Sequence, residues 1–69
     1  MQGEATKRAR IRPGMTVLVV MKADQATGRL TKGVVQDVLT RSRTHPRGIK
    51  VRLQGGEIGR VVEIVGGDT

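Results

Sequence analysis

Ile49-Lys50-Val51-Arg52-Leu53-Gln54-Gly55-Gly56-Glu57-Ile58-Gly59-Arg60-Val61-Val62-Glu63-Ile64-Val65 is the stretch whose pattern decides the fold. Ile49, Val51 and Leu53 alternate with Lys50, Arg52 and Gln54. Successive side chains of a strand point to opposite faces, so residues 49–54 form a strand with one face toward a core and one carrying charge. Gly55-Gly56 is then a two-residue hairpin signal, and residues 57–65 are the returning strand.

The returning strand echoes an earlier segment. Gly33-Val34-Val35-Gln36-Asp37-Val38 and Gly59-Arg60-Val61-Val62-Glu63-Ile64 share the order Gly, any, Val, any, acid, aliphatic, 26 residues apart. The three-residue step from Val35 to Val38, and from Val61 to Ile64, breaks the period of two as a bulge or sharp coil does. Bends of this kind let a short sheet curl onto itself. The same residues also admit an open antiparallel sheet in which the echo is coincidence.

Working outward, residues 15–22 form a first strand, apolar at nearly every central position, and Pro13-Gly14 marks the turn before it. Residues 23–28 make a connection whose Asp24, Gln25, Thr27 and Gly28 supply turn chemistry. Residues 30–40 resume as a second strand, broken or bulged near Gly33, and residues 41–48 form the longest loop, centred on His45-Pro46. Four or five strands in so short a chain imply an all-β, small curled barrel of antiparallel strands. Closure also limits exposed edges. Residues 13–65 are the single folded domain, residues 1–12 a flexible, disordered basic arm with no apolar stripe long enough to dock, and residues 66–69 a frayed tail.

Composition agrees with the strand pattern. Of 69 residues, 25 are hydrophobic, and 14 of those are Val or Ile against 4 Leu and 4 Ala, a bias toward pleated surfaces. There is no Phe, Tyr, Trp or Cys. Aliphatic packing alone must hold the fold, with no disulfide, thiolate metal site or cysteine nucleophile. A domain of this size buries only about 60% of its unfolded surface, too little to build a deep enzyme cleft. The longest apolar run, at residues 17–21, is far short of a membrane span, and the first residues lack the apolar segment of a signal peptide. The expectation is a cytoplasmic monomer that engages no membrane.

The formal charge of +7 is unevenly placed. Residues 1–12 carry +3, residues 13–40 carry +1, residues 41–52 carry +5 with no acid, and residues 53–69 carry −2. Nine of the thirteen cations are Arg, whose planar fork suits phosphate. Ordinary solubility is the plain alternative for such a surface. Clustering without interleaved acids favours an anionic partner instead.

Catalysis has little to draw on. His45 is the sole histidine, with no carboxylate or second imidazole near it in sequence, and it is expected to shape its loop. Asp24 suits a turn, and Asp37 and Glu63 suit strand positions facing solvent or pairing with arginines. No Walker-type phosphate loop occurs. The expectation is a non-enzymatic module without metal or small-molecule cofactor. RNA or a ribonucleoprotein is the first partner, bound through Arg41, Arg43, His45, Arg47, Lys50, Arg52 and Arg60, with Lys7, Arg8, Arg10 and Arg12 as an accessory arm. Without aromatic side chains to stack on bases, such binding runs through phosphates and is salt-sensitive. The alternative partner is an acidic or extended protein segment.

Three segments carry a resemblance: residues 22–33 (KADQATGRLTKG), 45–53 (HPRGIKVRL) and 56–61 (GEIGRV). In that order they resemble the YwbE family of small bacterial proteins, over residues 8 to 64. That family is uncharacterised in function, so the resemblance transfers no catalytic or binding residues. More loosely, Pro13-Gly14 before a strand, the Gly-x-Val pieces and Val51-Arg52-Leu53-Gln54-Gly55-Gly56 look like the SH3-like barrels of KOW-type ribosomal and transcription-elongation domains. This second likeness implies a small SH3-like barrel and contact with RNA or protein, by analogy of fold.

Overall fold

Alternation at residues 49–54 places Val51 and Leu53 inside and Lys50 and Arg52 outside, and the chain closes a barrel around that inner face. A computed structural model describes residues 5–66. Its four strands are β1 (Thr16–Met21), β2 (Thr31–Val38), β3 (Lys50–Leu53) and β4 (Ile58–Gly66). All neighbours are antiparallel, and β1 pairs with both β2 and β4, so the ring β1-β2-β3-β4 has no open edge. The all-β, SH3-like expectation holds, with four strands. Among the described residues, no helix is long and apolar enough to cross a membrane.

The echoed segments bend the sheet at matching places. In β2, Val35 faces Leu53 and Asp37 faces Arg52, which leaves Gln36 as the extra residue. In β4, Glu63 faces Leu18 and Val61 faces Val19, which leaves Val62 as the extra residue, and a second shift leaves Val65 unpaired. Bulged residues turn outward, which is why Val62 and Val65 stay 43% and 45% exposed. After each echoed bulge the alternation resumes in phase, and Val38 and Ile64 pack against the core. The bend expected near Gly33 lies three residues later. Gly33 pairs regularly with Val17 and packs against Leu53, whose side chain would have to shift if a Cβ stood there, 2.6 Å from Cδ1.

The hairpin also differs from the two-residue form. The Gly56 N–H donates to Leu53 O (2.8 Å) and the Leu53 N–H to Glu57 O (2.7 Å), with Gly56 at φ +97°. This is the three-residue loop that ends on a left-handed residue.

Val17, Val19, Val35, Ile49, Val51, Leu53 and Val61 are fully buried, each favouring the folded state by about 1.5–3 kcal/mol relative to exposure. Two further core residues, Ala5 and Ile11, come from the expected arm. Residues 5–12 are therefore part of the barrel's packing. Lys7 pairs with Thr44 in an antiparallel bridge, and a 3-10 turn follows at Arg8–Arg10. Linear sequence shows only isolated apolar residues here, but docking needs no stripe when two side chains join the core and the backbone supplies the rest. Residues 1–4 of the expected arm lie outside the described residues. Of the expected frayed tail, Gly66 pairs with Thr16 and the rest lies outside the described residues.

Candidate functional site

Backbone bonds join residues 5–8 to the 40–49 connection. The Ile49 N–H donates to Ala5 O (3.0 Å), the His45 N–H to Thr6 O (2.9 Å) and the Arg8 N–H to Arg43 O (2.8 Å). Arg8 Nε also donates to Thr40 O (2.8 Å). Two basic segments far apart in the chain are thus laid side by side. Lys7, Arg8, Arg41 and Arg43 line one cavity of about 360 Å³ with Ala9 and Thr44. No carboxylate lines it among the described residues, and all four cations are exposed. Arg10 and Arg12 are exposed but lie outside this cavity.

A second cationic group forms on the barrel wall. The register sets Arg60 on β4 between Lys50 of β3 and Val20 of β1. Lys50 and Arg60 share a groove of about 470 Å³ with Lys22, Gln25, Val20 and Ile58. Arg60 Nη1 donates to Gly48 O (3.1 Å), which fixes its guanidinium. Thr40 connects the two groups: its carbonyl receives Arg8 Nε, and its Oγ1 accepts the Lys50 N–H at 2.8 Å.

The remaining candidates are dispersed. Arg52 Nη1 lies 3.5 Å from Asp37 Oδ2, as the pairing of those residues across β2 and β3 requires. With both side chains near half exposed, this pair contributes little stability, but it lowers the positive potential at Arg52. Arg47 lines a third cavity together with Glu63. The segment that is free of acid in sequence therefore meets acids across the sheet. His45 shapes its turn, accepting the Arg47 N–H at Nδ1 (3.1 Å) and the Gly48 N–H at its carbonyl (3.0 Å). Among the described residues, no His, Asp and Glu side chains gather as a metal site.

Lys22, Gln25 and Thr40 are participants that sequence reasoning missed. Lys22 lies in a segment of nearly neutral balance beside Asp24. The signal that locates it is the pairing of the first strand with the last, which follows only once the barrel closes.

A family model described as an uncharacterized conserved protein, DUF2196, matches residues 4–64. A Bacillus subtilis (strain 168) protein described as uncharacterized protein YwbE is 56% identical over 59 residues, covering 86% of this chain and 91% of that protein. No solved structure matches the chain.

Proposed function

The chain belongs to the DUF2196 family and is similar to YwbE, neither of which brings an activity with it, and we propose that it is an RNA-binding or ribonucleoprotein-binding module working through phosphate contacts. The observation that carries the reading is the cavity where Lys7, Arg8, Arg41 and Arg43 converge without a carboxylate among the described residues. Arginine forks and a lysine ammonium held on paired backbone suit successive phosphates. Sequence selectivity is low, because the chain has no aromatic residue for bases to stack on. The reading is of a non-enzymatic protein that acts in the cytoplasm. A closed barrel offers no edge for an extended peptide to join, which weighs against strand addition as the mode of partner binding.

Binding of the full chain to tRNA across a salt series tests this. Four engaged phosphates give a slope of log affinity against log salt of about −2.8 for single strands and about −3.6 for a duplex. Replacing Lys7, Arg41 and Arg43 by Ala, with Arg8 kept for its bond to Thr40, is expected to flatten that slope by about 2 to 3 units. An unchanged slope, or no binding at low salt, rejects the reading. Tighter binding to oligoglutamate than to tRNA at equal salt would identify an acidic protein segment as the partner.

A further inference from the structure

We propose that the groove between β1, β3 and β4 is a subsite for one nucleotide unit, with its phosphate on Lys22, Lys50 and Arg60 and its base on Val20 and Ile58. This deepens the reading above by naming what a place away from the main cationic cavity accepts. Lys50 stands directly opposite Arg60 in the β3–β4 ladder. Like charges in that relation are destabilising, and Lys22 adds a third cation to the same groove. No carboxylate lines the groove among the described residues, and Asp37, the acid on neighbouring β2, is engaged by Arg52. A local rule broken without compensation inside the protein is the mark of a place completed by a ligand, here an anion.

Two features make that anion more than a bare phosphate. Arg60 is half-buried and spends one of its five donors on Gly48 O, so its remaining fork is held in place before any ligand arrives. Beside it, Ile58 stays 40% exposed, and with Val20 it lines the same groove as its apolar part. Gly59 between Ile58 and Arg60 is buried and lets β4 approach β1 closely, since a Cβ there would lie 2.8 Å from Val20 O. Gln25 at the rim offers both amide donors and an acceptor for a base edge. Cations and aliphatic side chains side by side in one groove, with a volume of about 470 Å³, suit a phosphorylated nucleoside.

The test is amide chemical-shift titration of the full chain with AMP, ribose 5-phosphate, inorganic phosphate and hexa-adenylate. AMP is expected to shift Lys22, Gln25, Ile58 and Gly59 saturably. Ribose 5-phosphate should act on the same amides about tenfold more weakly, because it leaves Val20 and Ile58 uncovered. Ile58→Ser, at an exposed position, should erase that preference. Lys22→Ala should weaken every phosphate ligand. If a strand supplies the nucleotide, hexa-adenylate fills the groove at lower concentration than AMP and also shifts Arg41 and Arg43. If a free nucleotide is the source, AMP is the tighter ligand. Equal affinity for AMP and ribose 5-phosphate, or AMP shifts confined to Lys7, Arg41 and Arg43, overturns the proposal. Loss of tRNA binding with AMP binding retained removes the wider reading and leaves the groove standing, whereas tRNA binding without AMP binding does the reverse.

Discussion

Deleting residues 1–12 leaves a chain that is largely unfolded at 25 °C, or one whose melting midpoint falls by 20 °C or more, a shift of the size about 4 kcal/mol produces in so small a domain. The deletion takes Ile11 and Ala5, 2% and 5% exposed, out of the core. Losing a buried Ile costs about 2–5 kcal/mol once the cavity is counted. It also removes Ala5 O and Thr6 O, the acceptors of the Ile49 and His45 N–H groups. Ile49 is fully buried, and its orphaned N–H adds about 1–3 kcal/mol. The sum rivals the whole stability of a domain of this size, about 0.05–0.15 kcal/mol per residue. Thermal melts followed by circular dichroism check it, with Ile11→Ala as a milder variant expected to lose about 2–4 kcal/mol. A truncated chain that still melts cooperatively within a few degrees of the full one would mean that residues 5–12 only rest on a self-sufficient barrel.

Gly48→Ala is the second severe change. Gly48 has φ +102°, and a Cβ built on it runs into the Val61 carbonyl oxygen. Neither side can yield easily. Val61 is held by its N–H bond to Ile49 O (2.8 Å), and the Gly48 carbonyl anchors Arg60. Backbone strain at positive φ costs about 1–3 kcal/mol, and the collision with main-chain atoms raises the total to about 3 kcal/mol or more. Gly28→Ala provides the comparison, because φ there is +75° but nothing lies within 4 Å of the added carbon. Only the strain applies at Gly28, so Gly48→Ala should melt at least about 10 °C below Gly28→Ala. Equal melting points would show that residue 61 moves aside freely. The same variant displaces the anchor of Arg60, so any Gly48→Ala protein that remains folded should bind AMP more weakly in the groove.

Features of the fold that depend on near neighbours were legible. Alternation from Ile49 to Leu53 marks β3 because side chains two apart share a face. The echoed Gly-x-Val-x-acid-aliphatic segments mark two bulges, because a three-residue step between inward residues leaves one residue unpaired. Precise placement was less legible: Gly33 signalled a bend that falls at Gln36, and Gly55-Gly56 signalled a tighter hairpin than the chain makes. In both cases the glycine answers to what packs or turns beside it, Leu53 for one and the left-handed Gly56 for the other.

The candidate surface was less legible, for a related reason. Counting charge along residues 41–52 joins cations that the folded chain separates and omits the partners it brings in. Arg52 meets Asp37 through the β2–β3 register, Arg47 shares a cavity with Glu63, and Arg41 and Arg43 gain Lys7 and Arg8. The arm was the larger surprise, because Ala5 and Ile11 are too few to look amphipathic. Their value lies in completing a core whose other members come from all four strands and from Ile49 just before β3.

By itself the sequence determined an all-β chain with aliphatic packing, bulged strands, glycine-bearing turns and a basic surface without aromatic residues. Those properties follow from side-chain periodicity, backbone freedom and composition, which act over a few residues. Which cations stand together, which acids neutralise them and that Ala5 and Ile11 join the core were decided only by tertiary structure. Electrostatic and packing interactions act across space, and in a closed barrel the nearest neighbours in space are set by register between strands distant in the chain.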